Sequence, residues 1–306
     1  MLQNIHIQNF RCFEDFKADG FERINLIGGK NNSGKTCLLE ALACLSKAGF
    51  VNQADLLISR KSTFEELNNI ENKKGNDIGI KSSSKDYDYF LNIEINSFKQ
   101  IESARPRSSE LLKIYYFLPN MEFPTLDIVD SFDVIDYKGF KKELIEILKC
   151  IDNRIADIRT FKTKEGIHIL IDGASEYIRL NSFGDATKNL IRYCTPFFLK
   201  KVYHPHDSKL EILLIDEIEN GIHYTAHHDF WKNIFKLSKE LNVQVFSTTH
   251  SLEMIKAFNE VAKNEGEGAY FEMAKEYETG QIFAQKHDAG LLEYELEKTT
   301  STFRGE

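Results

Sequence analysis

Residues 29–36 read GKNNSGKT, a match to G-x-x-x-x-G-K-[ST] that leaves the chain few possible folds. An apolar run at residues 24–27 precedes the match, as expected of a buried strand in a parallel sheet. After the match, apolar residues recur at helical spacing over residues 37–45. A strand, a glycine-rich turn and a helix N-terminus together direct backbone N–H groups at one anion. The stretch therefore predicts a phosphate-binding loop, with an accidental match in a Gly- and Lys-rich loop as the alternative.

Each residue type in this loop has a physical role in binding a nucleotide. Gly29 and Gly34 would let the backbone wrap closely, because a Cβ there would obstruct the phosphates. Lys35 would reach the β- and γ-phosphates, and the Thr36 hydroxyl would bind Mg²⁺. The residues predicted to bind nucleotide are Gly29, Lys30, Asn31, Asn32, Ser33, Gly34, Lys35 and Thr36.

The composition limits the class of protein. A chain of 306 residues can form one large α/β domain or two smaller ones. The formal net charge of -8 argues against a surface that is basic all over, although a local basic groove would still allow nucleic acid to bind. No apolar run approaches membrane-spanning length, and the N-terminus lacks a signal-peptide pattern. The five cysteines are scattered without a C-x-x-C pair, which favours buried free thiols in a reducing cytosol.

Strands and a helix are predicted around the loop. Alternating apolar and polar residues at 2–13 predict a half-buried strand in an antiparallel layer beside the nucleotide. Arg11, near the end of that strand, either contacts the phosphates or is a surface arginine on an edge strand. Residues 89–95 and 112–118 are predicted to be strands of an antiparallel sheet that flanks the parallel core. Helical spacing over residues 140–158 predicts a helix whose apolar positions extend to Ile155.

Residues 210–217 (LEILLIDE) are an apolar run that ends in two carboxylates, typical of a central strand that delivers acids to the edge of a sheet. Asp216 can hold Mg²⁺ together with Thr36, and Glu217 can polarise an attacking water. A solvated strand end is the alternative. His250 follows the next predicted strand at the same edge, where it either contacts the γ-phosphate or caps a helix.

Two other clusters carry weaker signals. Ser182 and Gly184 stand between a predicted strand and a predicted helix, either as a plain N-cap or as a second helix terminus that faces phosphate. Two histidine pairs come close to metal-ligand spacing, but no third ligand recurs near either. We therefore expect exposed or packed histidines in these pairs, which are His204 with His206 and His223 with His227.

Several of these segments resemble the ABC-type ATPases of the RecF, SMC and OLD (overcoming lysogenization defect) kind. IHIQNFRCFEDF resembles their opening strand, GGKNNSGKTCLLEAL their P-loop, and ILLIDEIENGIH their Walker B segment with its following loop. NSFGDATKNL resembles a divergent signature segment, and VFSTTHS resembles the strand that ends in the switch histidine. The similarity covers nearly the whole chain. The ATPase half of OLD-type proteins, including those of bacterial and archaeal antiphage systems, is the nearest in likeness.

The resemblance implies the fold. It implies an α/β P-loop NTPase with an ABC-type core, in which helices flank a mostly parallel central sheet beside an antiparallel β layer. It implies one ATPase domain over residues 1–306. Within it, residues 1–125 would form a P-loop lobe with the antiparallel sheet, residues 126–200 a helical and signature segment, and residues 201–306 a Walker B and switch-histidine lobe. No useful heptad repeat is present, so no long coiled coil is expected.

The resemblance also implies roles for site residues. In this family two ATPase cores pair head-to-tail, and the signature segment of each closes over the nucleotide of the other. Ser182 and Gly184 would then face the γ-phosphate of the partner's ATP. Glu217 would be the general base and His250 the switch histidine, with Lys35 stabilising charge on the phosphates.

Two departures from the family pattern are visible. Phe183 replaces a glycine common in the signature, which implies a looser contact with the partner's nucleotide. Gln100 is a poor match, by position, for the family's Q-loop glutamine. OLD nucleases also carry a TOPRIM domain after the ATPase, and this chain ends where that domain would begin, so a nuclease would be a separate protein.

The resemblance therefore predicts a cytoplasmic, Mg²⁺-dependent ATPase that forms an ATP-dependent homodimer or higher oligomer. It would act as sensor or scaffold for a separate effector, such as a TOPRIM or HNH nuclease, in antiphage defence. A RecF-like ATPase of DNA repair or recombination, which would bind DNA, is the main alternative. A second alternative is a structural module that does not hydrolyse ATP. A third is the ATPase subunit of a transporter, which fits the sequence poorly because no membrane-coupling glutamine is evident.

Overall fold

The structure is a computed structural model. It describes residues 1–45, 78–84, 88–95, 101–106, 113–117, 128–161, 164–205, 209–287 and 292, so Gln100 lies outside the described residues. The described strands are β1 (Leu2–Phe10), β2 (Phe13–Asp19), β3 (Ile24–Gly29), β4 (Ile78–Ser84), β5 (Asp88–Ile95), β6 (Ile101–Pro106), β7 (Lys113–Phe117), β8 (Ile155–Phe161), β9 (Lys164–Ile171), β10 (Ile178–Arg179), β11 (Glu211–Ile215), β12 (Val243–Thr248), β13 (Gly268–Lys275) and β14 (Ile282–His287). The described helices are α1 (Lys35–Ala43), α2 (Ile128–Tyr137), α3 (Lys141–Leu148), α4 (Asp185–Tyr203), α5 (His227–Leu241) and α6 (Leu252–Glu265), with short 3₁₀ turns at Leu180–Ser182 and Tyr224–Ala226.

A central sheet carries the order β14-β13-β3-β12-β11-β7. Its neighbouring strands are parallel except for the antiparallel pair β13 and β14. Every residue of β3, β11 and β12 is buried, because elements pack on both faces of the sheet. This pattern explains the unbroken apolar runs that the sequence shows at these strands.

The two faces of the central sheet form two apolar cores. On one face, Leu26 and Leu213 pack in one cluster with Leu190 of α4, Trp231 of α5 and Phe258 of α6. On the other face, the central strands pack against α1 and the β1–β2 hairpin, which contribute Leu38, Leu42, Phe10, Phe13 and Phe16. The helix that follows the phosphate-binding loop is therefore held between the sheet and the hairpin.

Two smaller sheets flank this core. One has the order β2-β1-β4-β5-β6 and is antiparallel throughout, which confirms the predicted antiparallel layer. The other has the order β10-β9-β8 and lies beside α2 and α3 in sequence. None of the described helices combines the length and apolar composition that crossing a membrane requires. The division into three lobes at residues 125 and 200 stays a prediction.

Three element predictions were wrong in detail. The strand predicted at 2–13 ends at Phe10, and a turn at residues 11–12 leads into β2, which begins at Phe13. The strand predicted at 112–118 is β7, and it pairs in parallel with β11 at the edge of the central sheet instead of joining the antiparallel layer. The helical run ends at Leu148, after which Ile155 begins β8. Ile155 falls on the apolar helical spacing by coincidence: β8 buries Ile155 and Ile158, three residues apart, because its register shifts between Ile155 and Asp157.

Candidate active site

The carboxyl ends of three parallel neighbours, β3, β12 and β11, meet at one edge of the central sheet. The register of these strands places their carboxyl ends side by side, because Thr248 lies beside Ile27 of β3, and Ile215 lies beside Ser247 of β12. The phosphate-binding loop after β3, the two acids after β11 and the residues after β12 therefore share one edge, as the sequence predicted.

Two glycines shape the phosphate-binding loop, and the protein's own packing adds a reason to the predicted one, which stays a prediction. Gly29 has a φ of +127°, and a Cβ there would lie 2.2 Å from the carbonyl oxygen of Met273 on β13. Gly34 has a φ of +91°, and a Cβ there would lie 3.1 Å from the ring of Phe13 and 3.2 Å from the sulfur of Cys12. Both positions need glycine because the protein's own neighbouring strands already fill the space.

Lys35 is buried and lies over the loop that it follows. Its ammonium group donates hydrogen bonds of 2.8 Å to the carbonyl oxygens of Gly29 and Lys30. Burial lowers the pKa of Lys35 to about 8, while the carboxylates of Asp216, Glu219 and Glu217 act in the opposite direction. The amine is thus positioned for a stronger anionic partner than the two carbonyl groups.

The rest of the loop presents polar groups. Lys30, Asn31 and Asn32 are exposed, and Asn32 adopts a left-handed φ of 61° that asparagine tolerates. The Ser33 hydroxyl is buried and has no hydrogen-bond partner among the described residues. A buried hydroxyl of this kind is expected to pair with a ligand or an ordered water.

Thr36, Asp216 and Thr248 form a hydrogen-bonded row across the site. The Thr36 hydroxyl donates to one carboxylate oxygen of Asp216 at 2.9 Å, and the Thr248 hydroxyl donates to the other. The predicted pair of Thr36 and Asp216 is therefore together, and it supplies the hydroxyl and carboxylate oxygens that Mg²⁺ prefers. Magnesium bound with a nucleotide commonly uses one or two protein oxygens, with phosphates and waters completing its shell.

Glu217 adopts a left-handed backbone conformation with a φ of 51°. Its N–H donates to the Thr248 hydroxyl at 2.9 Å, and its carbonyl accepts from the N–H of Asn220 at 2.9 Å. Such backbone costs about 1–3 kcal/mol in a residue other than glycine and clusters at functional sites. Burial raises the pKa of Glu217 most, and the carboxylates of Asp216 and Glu219 raise it further. The positive charge of Lys35 acts in the opposite direction. A raised pKa makes its carboxylate a better proton acceptor.

His250 lies half-buried just beyond β12. Its backbone N–H donates to a carboxylate oxygen of Glu219 at 2.7 Å. Burial lowers the pKa of His250 most, and the charge of Lys35 lowers it further. The carboxylates of Glu219 and Asp216 act in the opposite direction. The imidazole is therefore neutral at neutral pH. The helix-capping alternative does not hold, because Ser251 caps α6 by accepting the N–H of Met254 at 3.1 Å. Contact with a γ-phosphate stays a prediction.

Arg11 is neither free nor at the surface. It is four-fifths buried, with its guanidinium paired to Glu40 of α1 at 2.9 Å and lying over the ring of Phe10. The surface alternative was therefore wrong, because the β1–β2 turn folds back onto α1. Contact between Arg11 and the phosphates stays a prediction.

The signature segment is on the surface. Ser182 and Gly184 are exposed, and Gly184 is the N-cap residue of α4 without a side-chain hydrogen bond at the cap. The start of α4 packs on the loop after Glu217, because a Cβ on Gly221 would lie 3.0 Å from the backbone nitrogen of Ala186. The loop after Glu217 therefore connects the first turn of α4 to Asp216 and Glu217. The N-terminal end of α4 faces outward.

The histidine pairs behave as packing and turn residues where they are described. His227 is buried and its Nε2 lies 3.1 Å from the carbonyl oxygen of Ile222, while Nδ1 of His223 lies 2.9 Å from the Thr225 hydroxyl. Within the described part of the chain, no three His, Cys, Asp or Glu side chains come together as metal ligands would.

Two functional residues were missed from the sequence: Thr248 and Glu219. The Thr248 hydroxyl donates to the Asp216 carboxylate and accepts the N–H of Glu217, and the Glu219 carboxylate accepts the N–H of His250. A signal was available for both. Thr248 is a polar residue at the carboxyl end of a fully buried strand, and Glu219 is a third acid two residues after Glu217.

Comparison with known families agrees with this geometry. Residues 24–256, well over half of the chain, match the family described as "AAA domain, putative AbiEii toxin, Type IV TA system". The chain belongs to this AAA-domain family. Its fold is that of the SMC and RecF heads, and it is a P-loop ATPase, as the sequence predicted.

Individual relatives show how the similarity is distributed. A Helicobacter pylori protein named ATP/GTP phosphatase is 23% identical to this ATPase over 337 residues, covering 86% of this chain and 89% of that protein. A Chlorobium phaeovibrioides protein named DNA replication and repair protein RecF is 44% identical over 55 residues, covering 18% of this chain and 15% of that protein. The first relationship spans almost the whole chain, whereas the second is local.

Solved structures of SMC heads superpose on nearly the whole of this ATPase. An SMC head bound to the C-winged helix domain of ScpA gives a TM-score of 0.65 at 12% identity, covering 94% of this chain and 97% of that chain. The Pyrococcus furiosus SMC head, bound to the C-terminal domain of ScpA, gives a TM-score of 0.59 at 12% identity, covering 97% and 98%. At this identity the likeness defines the fold.

Proposed function

We propose that this ATPase binds ATP with Mg²⁺ at the shared sheet edge and hydrolyses it by in-line attack of water on the γ-phosphate. One observation carries the proposal. A single hydrogen-bonded set joins Thr36 of the phosphate-binding loop to Asp216, Thr248 and Glu217. The parallel strands bring these groups to one edge, and the hydrogen bonds supply the hydroxyl and carboxylate oxygens that a magnesium-bound nucleotide requires there.

Each group has a distinct task in this scheme. Lys35 and the N–H groups at the start of α1 bind the phosphates, since the Lys35 ammonium already lies over the loop. Thr36 and Asp216 would hold Mg²⁺, which would supply positive charge to offset the charge on the phosphates. Glu217 orients the water and accepts its proton, and neutral His250 contacts the γ-phosphate.

The proposed assembly is an ATP-dependent homodimer, or a higher oligomer built from it. Ser182 and Gly184 of one copy would face the γ-phosphate of the other copy's ATP. Exposure of both residues supports this, as does the outward N-terminal end of α4, where N–H groups and the helix dipole attract anions. Phe183 packs against the main core, so it does not obstruct that end.

The proposed biological role is that of sensor or scaffold ATPase in an antiphage defence system of the OLD kind. A separate effector, such as a TOPRIM or HNH nuclease, would recognise the ATP-bound dimer in the cytoplasm. The family description, which names a toxin and a type IV toxin–antitoxin system, supports a role in a two-component conflict system. A RecF-like DNA-repair role rests on a local match over 18% of the chain, so DNA binding is the property that separates the two roles.

Glu217→Gln tests the chemical part of the proposal. We expect the variant to bind ATP about as tightly as the parent protein and to turn it over on the order of 100-fold more slowly, the contribution typical of a general base. Phosphate release and calorimetric titration measure the two quantities. Glu240→Gln, which changes an exposed acid on α5, is the matched control and should behave as the parent protein. Unchanged turnover in Glu217→Gln would refute the role of the base.

The same variant tests the assembly. Because Glu217→Gln holds ATP without cutting it, light scattering after size exclusion should show a dimer with ATP and a monomer without it. Adding Ser182→Arg should abolish the dimer and leave ATP binding intact. A dimer that forms equally well without ATP, or that survives Ser182→Arg, would contradict closure by the signature segment.

A further inference from the structure

A cavity with a volume of about 320 Å³ lies beside the N-terminal half of α4. Its described walls come from α2, β9, the segment that runs from β10 into the following 3₁₀ turn, and α4. Among these described wall residues there is none from the phosphate-binding loop, and neither Asp216, Ser182 nor Gly184 is included. The cavity is therefore separate from the candidate active site and from the two residues proposed to face the partner's ATP. Its volume is at the lower end of the range of small-molecule sites, roughly 300–1,000 Å³.

Three basic side chains line this cavity, namely Arg179 of β10 and Lys188 and Arg192 of α4. None of the described wall residues is acidic. Lys188 and Arg192 are four residues apart in the helix, so they share one face of α4. Like charges at this spacing destabilise a helix, whereas an anion bound by both would remove the repulsion. The arrangement therefore favours an anionic ligand.

The two basic residues of α4 are also unpaired. Neither Lys188 nor Arg192 forms an ion pair or a hydrogen bond through its side chain with any residue that the structure describes. The Nε of Arg192 is moreover buried, so bulk water does not reach this donor. A buried donor of a charged group is expected to pair with a ligand or an ordered water. The unpaired guanidinium is thus a second observation, independent of the charge, that indicates a bound anion.

The same cavity has an apolar part, formed by Ile128 and Val129 of α2, Ile167 of β9 and Leu180. An inorganic anion would leave these side chains facing water, whereas a ligand with a compact apolar group would cover them. On the basic side, guanidinium and ammonium groups bind phosphate through charge-assisted hydrogen bonds. A phosphate also carries up to two negative charges at neutral pH, which suits several cations better than the single charge of a carboxylate.

We propose that this cavity is a binding site for a small organic phosphate, with the phosphate group held by Lys188 and Arg192 and an apolar group packed against α2 and β9. The phosphodiester backbone of a nucleic acid has the same anionic chemistry, but it is bound along open basic tracks. Here the basic residues share a small cavity with apolar side chains, which fits a separate small molecule.

Lysine footprinting of the purified full chain, without nucleotide, tests the proposal at Lys188 itself. The ligands to be tested are phenyl phosphate and inorganic phosphate, because they share the anion and differ by one apolar ring. Both should slow the acetylation of Lys188 by sulfosuccinimidyl acetate in a saturable way, measured by peptide mass spectrometry. Phenyl phosphate should act at a concentration at least about threefold lower, because its ring covers part of the apolar wall. Lys236, an exposed lysine of α5, should be acetylated at an unchanged rate throughout.

Variants of the basic residues test who holds the phosphate. Arg192→Gln should weaken the protection of Lys188 by phenyl phosphate at least about tenfold, because it removes a charged hydrogen-bond donor. A thermal unfolding curve checks that this half-buried position tolerates the change. Arg179→Gln, at an exposed position of the same cavity, is the second variant and should weaken protection about threefold. Lys236→Gln is the matched control and should leave the protection of Lys188 unchanged.

Four results would overturn the proposal. The first is acetylation of Lys188 that neither phosphate slows, and the second is equal potency of the two phosphates. The third is full protection in folded Arg192→Gln and in Arg179→Gln. The fourth is protection by duplex DNA at a lower phosphate concentration than phenyl phosphate, which would assign the cavity to a nucleic-acid surface.

The readout is independent of the proposed ATPase mechanism. Acetylation of Lys188 requires neither ATP binding nor hydrolysis, so failure of the proposed function and failure of this site are distinguishable. The protection should persist in Lys35→Ala, in which the phosphate-binding loop has lost its buried cation. Loss of protection in that variant would show an indirect effect of phosphate bound at the loop, and would contradict the separate site.

Discussion

Replacing Thr248 by valine would remove one hydroxyl from the centre of the site and leave the size of the side chain almost unchanged. In the native protein that hydroxyl donates to the Asp216 carboxylate and accepts the N–H of Glu217 at 2.9 Å. Valine can do neither. Asp216 would lose one donor, and Glu217 would lose the hydrogen bond that supports its left-handed backbone.

The expected loss of stability follows from these two bonds. A hydrogen bond between neutral groups contributes about 1 kcal/mol to folding, and one to a charged group contributes about 1.5–3 kcal/mol. Thr248 is fully buried, so water cannot replace either bond. We therefore expect the free energy of unfolding to fall by about 2–4 kcal/mol.

The expected loss of activity follows from the position of Glu217. If its backbone relaxes by about 1 Å, turnover should fall on the order of 100-fold. ATP affinity should change little, because Asp216 keeps its hydrogen bond from Thr36, and the Lys35 ammonium is held by the carbonyl oxygens of Gly29 and Lys30.

Urea unfolding, phosphate release and nucleotide titration measure the three quantities in one preparation. Ser247→Ala is the matched control, since Ser247 precedes Thr248 on the same buried strand and makes one long bond of 3.4 Å to the Asn25 carbonyl. It should lose at most about 1 kcal/mol and retain full turnover. Full turnover in Thr248→Val, at a temperature where the variant is folded, would refute the claim that this hydroxyl positions the base.

Two further predictions concern Lys35. Lys35→Ala should abolish detectable ATP binding by calorimetry, because the amine is the buried cation over the loop, and an affinity within tenfold of the parent's would contradict this. Since the pKa of Lys35 is lowered to about 8, the amine is charged below that pH and neutral above it. ATP affinity should therefore fall as the pH rises through about 8, and Lys35→Arg, which stays charged, should flatten that dependence.

The core of the site could be read from the sequence because its signals are local. The spacing of Gly29, Gly34 and Lys35 within one turn encodes the phosphate loop, and the apolar run before Asp216 identifies a central strand. Parallel strands then bring their carboxyl ends to one edge, so the meeting of Thr36 with Asp216 follows from topology.

What could not be read depends on contacts between residues far apart in sequence. Thr248 lies 32 residues from Asp216, and its place at a strand end marks it as a site residue without indicating that its hydroxyl bonds to Asp216 and to the N–H of Glu217. The partner of β7 was misjudged because a short strand at a sheet edge carries no signal for the direction of its neighbour. The two alternatives for Arg11 could not be separated from the sequence, because its pairing with Glu40 arises where the hairpin turn folds onto α1, a tertiary contact that strand periodicity does not encode.

The Mg²⁺ dependence of ATP binding tests most directly whether the phosphate loop and the acid after β11 form one site. Calorimetric titrations of the parent protein and of Thr36→Val, each with and without Mg²⁺, give four affinities. We predict that Mg²⁺ tightens binding at least about tenfold, or ~1.4 kcal/mol, in the parent protein and hardly at all in Thr36→Val, with the Mg²⁺-free affinities alike. An equal effect of Mg²⁺ on both proteins would contradict the shared site.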